Sequence, residues 1–433
     1  MSDSSAPATS GSAEHDPNGA PGAALTTADG VPLKQSLNRA IRRSRLKALL
    51  LVAPLLIFIG LAFVMPIFDM LSRSVDNPEV STYLPRTSEA LVDWDGEGLP
   101  DEATYAALAD DLAAGLKARN LGRVASRLNY EMSGMRSLFM KSARKAARME
   151  APYKAALIEA DEDWQDPDIW RLIKRESTPY TASYYLAAVD RQFSPTGEIV
   201  EKPEYLQIHV SLFIRTFWMS AAITGLCLLL AYPVAWLLAT LPAGRGNLLM
   251  ILVLLPFWTS LLVRTTTWIA ILQQQGVLND MLVGVGILAE EARIQMIYNK
   301  TGTIIAMTHI LLPFMILPLY SVMKTIPPSY MHAARSLGAG PITAFRRVYF
   351  PQTLPGIGAG SILVFILSIG YYITPALVGG QSGRFITNFI AYHMQTSLNW
   401  GLAAAIGSIL LVVVILFYLV YNRLIGVDKV KLG

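Results

Sequence analysis

The chain has 433 residues, 53% of them hydrophobic and only 16% charged, with a formal net charge of +4. That apolar fraction is too high for an ordinary soluble protein of this size and indicates a membrane protein. The basic excess lies beside apolar segments, with no basic–aromatic stripe and no Cys/His spacing, so no nucleic-acid module is present. The single cysteine, Cys227, sits in an apolar run and excludes both an intramolecular disulfide and a cysteine metal site.

Residues 1–38 are rich in Ser, Ala, Gly and Pro with no apolar period, which predicts a disordered tail. The basic cluster "RAIRRSRLK" follows, and then a first membrane helix over 48–73, uncharged through residue 68. It is too long for a cleaved signal peptide, its basic region comes late, and no small-residue cleavage site follows, so a retained helix is expected.

Residues 75–207 form one large extramembrane segment. Residues 74–207 carry 23 acidic and 16 basic side chains, whereas the rest of the chain holds 9 and 20. Long Ala/Leu/Lys/Arg stretches with apolar residues three or four apart predict a mainly helical insert. Its mixed charge reads as a solvated surface, and "DEDWQDPDIWRLIK" supplies two tryptophans.

Residues 209–425 hold five further spans: 216–244, the stretch 246–279 interrupted by Arg264, 301–323, and two helices between Leu354 and Asn422 separated at the polar "GGQSGR". The fold class is therefore an all-α membrane protein with six transmembrane helices. Lys/Arg counts in the short flanks put both termini in the cytoplasm, the hairpin 324–356 on the same side, and the acidic insert opposite.

That hairpin reads "KTIPPSYMHAARSLGAGPITAFRRVYFPQTLPG". Pro327 and Pro328 precede a helix-forming run with Ser329 as a candidate N-cap. Gly338 ends that helix, Pro341 opens a second, and Pro351 is expected to stop it. Ala333 and Ala334 leave room for a close backbone, and Arg335, Arg346 and Arg347 offer cations to acidic groups or lipid phosphates. Two readings stand: a positive loop touching headgroups, or a docking element.

The pattern Ala333-Ala334, Gly338, Val348, Phe350, Pro351 resembles the EAA loop of binding-protein-dependent ABC transporter permeases. His332 stands where the family usually has Glu, and Val348 and Phe350 replace Ile and Leu. "LLPFWTSLLVRTTTWIAILQQQGVLN", "HILLPFMILPLYSVMKTI" and "FPQTLPGIGAG" resemble the spermidine/putrescine branch. The likeness spans roughly 205–425 plus the first helix, and leaves out the insert. It implies a transmembrane half-channel that pairs with a second permease subunit. It also implies a cytoplasmic ABC ATPase dimer coupled through the loop (His332, Ala333, Ala334, Arg335, Gly338, Arg346, Arg347 and Pro351) and a periplasmic solute-binding protein. The chain has no phosphate-binding G-x-x-x-x-G-K-[ST] loop, so ATP would be bound by a separate subunit, with no cofactor or metal here.

Within the membrane, Arg264 either faces the solute path or reaches an interface. Trp258, Trp268, Tyr371 and Tyr372 are candidate path residues through cation–π attraction, or packing residues. No Asp or Glu occurs between Glu291 and Asp428. There is no nucleophile–base or metal constellation, so the chain is not expected to be an enzyme. The expected function is the permease subunit of an inner-membrane ABC importer for polyamines, with opines or an inorganic anion as the alternative solute. A secondary transporter would need broken-helix repeats or a carboxylate relay, and a receptor would need a cytoplasmic output module.

Overall fold

The computed structural model describes residues 33–425. Residues 1–32 of the expected disordered tail lie outside them. The rest of that tail, 33–38, is helical, because α1 (Leu33–Ile59) begins at Leu33 and absorbs the basic cluster into its first turns. A wide π turn at Gly60–Val64 joins α1 to α2 (Met65–Ser72), giving an apolar rod over Ile41–Ser72. The described residues fall into two compact units, one ending at Phe68 and the other starting at Asp69.

The segment between α2 and the next span folds as eight helices: α3 (Glu79–Tyr83), α4 (Pro85–Ala90), α5 (Glu102–Lys117), α6 (Leu121–Glu131), α7 (Met135–Ala146), α8 (Tyr153–Ala160), α9 (Pro167–Glu176) and α10 (Ser183–Ala188). A two-stranded antiparallel hairpin, β1 (Arg191–Phe193) and β2 (Ile199–Glu201), closes it. Local chemistry starts these helices. The Asp101 carboxylate accepts from the Thr104 N–H at 2.9 Å to cap α5, and Asp166 caps α9 ahead of Pro167. The tryptophans Trp164 and Trp170 are fully buried in the segment's core beside Tyr105 and Phe139. Their polar edges are satisfied: Trp164 Nε1 donates to Ser142 Oγ at 2.7 Å, and Tyr105 Oη donates to the Trp164 carbonyl at 2.8 Å.

The C-terminal half begins with α11 (His209–Thr240), followed by α12 (Ala243–Leu254), α13 (Leu261–Leu272) and α14 (Val277–Gly284). Then come α15 (Lys300–Thr325), α16 (Pro328–Ser336), α17 (Pro341–Ala344), α18 (Phe350–Gly370), α19 (Ile373–Val378), α20 (Ile386–Gln395) and α21 (Trp400–Ile425). Helices α11, α15 and α18 form the centre. Met219, Ile223, Cys227, Ala231 and Ala235, each four residues from the last, line one face of α11 and bury against Met307, Leu311, Met315 and Leu319 of α15. On α18, Gly356 and Gly360 face α15. A Cβ at Gly356 would meet the Pro318 carbonyl and the Leu319 Cα, both at 3.2 Å. Small residues four apart let the two backbones approach closely, as in membrane helix pairs generally.

Five helices are long and apolar enough to cross a membrane, and a sixth crossing requires counting one bent pair as a single span. The third span is that pair: Ala243–Trp258 and Leu261–Gly284 meet at 97°. The break falls at Pro256, whose 3-10 turn over Leu255–Trp258 leads into the extended Thr259.

Pro351 does not stop a helix. Residues Pro341–Gly370 run as one 30-residue rod, because a π turn at Phe345–Tyr349 shifts the bonding so that the Phe350 N–H meets the Phe345 carbonyl. The widened turn accommodates a ring that would clash in a regular α-helix. Gly60–Val64 does the same just before Pro66.

Candidate coupling loop and translocation path

Between α15 and the long rod, the chain turns away from the bundle into α16. Pro327 and Pro328 set its start, and no side chain caps it; Ser329 lies inside the first turn rather than at the cap. Its end is closed by two reversed hydrogen bonds. Ala339 N–H donates to the Ala334 carbonyl at 3.1 Å and Gly338 N–H to the Arg335 carbonyl at 3.0 Å, with Gly338 at φ +87°. This is the Schellman arrangement, and the left-handed φ is why glycine stands there.

His332, Ala333, Arg335, Gly338, Arg346 and Arg347 are exposed, Ala334 is half-buried, and Leu337 is 88% exposed. The loop therefore presents an apolar tip flanked by cations. Its inner side is anchored: Ala344 and Tyr349 are buried, and Phe345 stacks on Tyr349 with ring centres 5.9 Å apart. A cavity of about 860 Å³ opens beside α16, between Tyr232 and Trp236 of α11 and His332, Arg335 and Phe345 of the loop.

The residues predicted for the path separate into two groups. Trp268 Nε1 donates to His309 Nδ1 at 3.2 Å, tying α13 to α15, and Thr265 Oγ1 lies 3.3 Å from Thr374 Oγ1 of α19. Arg264 is half-buried one turn before Trp268. Its Nε is buried with no hydrogen-bond partner. Trp258, 79% exposed, stands at the bend, and Tyr372 is exposed; among the described residues no ring contact joins either to that group.

Sequence reasoning missed the fastening of the 75–207 segment to the C-terminal half. Asp190, at φ +60°, aims its carboxylate at the start of α11 and accepts from the N–H groups of Ile208, His209 and Val210 at 3.1, 2.9 and 2.8 Å. This cap satisfies free donors and favours the positive helix end. It sits some twenty residues from the helix it caps, beyond the reach of a local pattern. Tyr185 Oη accepts from both Ser74 Oγ and Ser408 Oγ at 2.9 Å, and Tyr130 Oη donates to the Ser397 carbonyl at 2.7 Å.

Residues 213–425 match the family described as binding-protein-dependent transport system inner membrane component. The chain is 36% identical over 223 residues to the spermidine/putrescine transport system permease protein PotB of Haemophilus influenzae, covering 51% of this chain and 77% of that one. It is 35% identical over 216 residues to PotB of Escherichia coli, covering 50% and 78%. Among solved structures, a bacterial ABC transporter involved in the import of the acidic polysaccharide alginate is 21% identical with a TM-score of 0.41, over 51% of this chain and 80% of that one. On the family match over residues 213–425 and the identity to the two PotB permeases, the chain belongs to the binding-protein-dependent transport system inner membrane components.

Proposed function

We propose that this permease passes polyamines, with spermidine and putrescine as the solutes, and draws its energy from ATP hydrolysed by a separate subunit pair docked on residues 324–356. The observation carrying the coupling role is the exposed helix α16, held by its Schellman turn and joined to a continuous rod over Pro341–Gly370. That rod is about 45 Å long. A push on α16 passes through the Gly338 elbow into α18, which the glycine contacts at 356 and 360 lock onto α15. The ATPase closure thereby reaches the bundle centre as a rigid-body shift, because close-packed interfaces move as units. The polyamine assignment is supported by the identity to the two PotB permeases.

The charge asymmetry supports cytoplasmic termini and loop, with the 75–207 segment on the periplasmic side where a solute-binding protein delivers. A reporter active only outside the cytoplasm is then active when fused at residue 140 and silent at residue 340; the reverse pattern overturns the orientation.

One observation favours a second reading. The half-buried Arg264 repels a cation, and the sequence holds no Asp or Glu between Glu204 and Asp280 or between Glu291 and Asp428, so a carboxylate-bearing solute such as an opine also fits. Uptake of labelled putrescine by cells expressing the whole transporter, with spermidine and an opine as competitors, separates the two. Competition by spermidine alone supports the polyamine reading; failure of both polyamines to enter or compete retires it and leaves the permease.

A further inference from the structure

Two kinds of chemistry meet in the cavity of about 860 Å³ beside α16. One wall is apolar. Tyr232 and Trp236 stand one turn apart on α11, and Met331 and Phe345 continue the wall from the loop. Tyr232 meets Phe345 edge-on with ring centres 6.2 Å apart, and Trp236 is 44% exposed. The same cavity is lined by Lys324, in the last turn of α15, and by Arg335 of α16. No acidic side chain lines it, and the sequence holds no Asp or Glu between Glu291 and Asp428. Among the described residues no carboxylate pairs with Lys324 or Arg335. Lys324 Nζ reaches the Ala239 carbonyl at 3.4 Å.

The cavity lies at the end of two apolar spans. Tyr232 and Trp236 belong to the last turns of His209–Thr240, and Lys324 stands one residue from the end of Lys300–Thr325. A small water-soluble anion would satisfy Lys324 and Arg335 but leave the aromatic wall bare. An uncharged acyl chain would do the reverse, and a polyamine would be repelled by both cations. One ligand carries both chemistries at this depth. We propose that the cavity seats an anionic phospholipid from the leaflet on the loop's side, its phosphate held by Lys324 and Arg335 and an acyl chain lying along Trp236 and Tyr232. The lipid braces α16 against α11. The proposal rests on the coupling reading above and divides the helix between two partners. Residues 328, 331, 332 and 335 line the cavity as one face of α16, whereas Ala333 and Leu337 lie off it and stay open to the ATPase.

A phosphatidylglycerol with a photoreactive diazirine on one acyl chain tests it. The full transporter, this chain with its accompanying subunits, is placed in phosphatidylcholine nanodiscs containing the probe, irradiated and digested for peptide mass spectrometry. Label is expected on the cavity wall, at Trp236, Met331 or Phe345. Unlabelled phosphatidylglycerol should displace it and inorganic phosphate should not. Lys324→Gln is expected to cut the label about fivefold, and Lys324→Arg, which keeps the charge, to hold it within about twofold. Absence of label on the wall, equal labelling by a phosphatidylcholine probe, or displacement by inorganic phosphate would overturn the proposal. Labelling only after the ATPase is stripped away would overturn it too, because the ATPase would then fill the cavity. Recovery of the ATPase is scored in the same preparation. Its absence sinks the coupling reading, whereas its presence beside an unlabelled wall sinks the lipid alone.

Discussion

Gly401, the second residue of the last span, lies flat against the ring of Tyr184: a Cβ at position 401 would stand 2.4 Å from Tyr184 Cε2 and Cζ. The ring cannot retreat, because the Arg127 guanidinium lies over it at 4.7 Å. Arg127 is itself fixed by Glu176, by Glu131 at 2.8 Å and by Asn77 Oδ1 at 2.7 Å. Gly401→Ala should therefore cost about 1–3 kcal/mol through overpacking. The readout is a lower unfolding midpoint in detergent and faster proteolysis within 75–207, with Tyr184→Leu restoring part of the loss. An Ala variant as stable as the parent would mean the contact is not enforced.

At the loop, a side chain on Gly338 would meet nothing within 4 Å, so any penalty is backbone strain alone. A β-branched residue at φ +87° should cost about 1–2 kcal/mol locally and move Pro341 relative to α16. Gly338→Val is expected to insert normally yet lose uptake and ATPase co-purification, while Gly338→Asn, which tolerates left-handed backbone, retains most of both. Normal uptake with Gly338→Val would remove the coupling role.

Gly356 and Gly360 of α18 should not respond alike. At Gly356 a Cβ meets three unyielding atoms of α15, the Val322 Cβ at 3.1 Å and the Leu319 Cα and Pro318 carbonyl at 3.2 Å, whereas at Gly360 the nearest obstacle is the Met315 thioether, at 2.7 Å, with the Met315 carbonyl behind it at 3.3 Å. A methionine tail can swing aside and backbone cannot. Gly356→Ala should consequently destabilise more than Gly360→Ala, by roughly 1 kcal/mol or more, read from thermal unfolding of the purified protein. The opposite order would contradict the helix spacing.

His393 on α20 makes the junction sensitive to acid. Its Nδ1 lies 2.9 Å from Ser397 Oγ, while its Nε2 is buried without a partner. Burial pushes its pKa down to about 4, and the neighbouring His209 and Lys202 act in the same direction. The unfolded chain binds the proton first, so this stability is fully present above about pH 6.5 and is lost as pH falls toward 4. Partial exposure leaves roughly 1–2 kcal/mol of the full linkage. Unfolding midpoints at pH 7 and 4.5 should differ less in His393→Gln than in the parent; an identical drop in both would exclude His393 as the source.

Much of this was legible in the residues because membrane solvation is a coarse filter. Uncharged stretches found the apolar helices, and Gly338 marked the elbow, since only a few residue types take that backbone. Pro351 misled because a neighbouring π turn cancels its usual effect, and that turn leaves no mark in composition. The bend at Leu255–Trp258 was hidden inside a continuous apolar stretch, where hydropathy cannot tell one span from two half-spans. The Asp190 cap and the Tyr184–Gly401 contact join residues far apart in sequence, so neither belongs to any local pattern.

Seven of those eight helices, α3 to α9, leave and re-enter the chain through a narrow neck. Asn77 N–H donates to the Pro179 carbonyl at 2.9 Å and Thr181 N–H to the Val75 carbonyl at 2.8 Å. Adjacent ends of this sort are the hallmark of a domain that can be gained or lost as a cassette. A short bridge from Val75 to Thr181 would delete about a hundred residues and keep both Tyr185 and the Asp190 cap. It would also strip Arg127 from Tyr184, so a trimmed transporter would inherit a loosened last span unless a new neighbour were supplied for that ring.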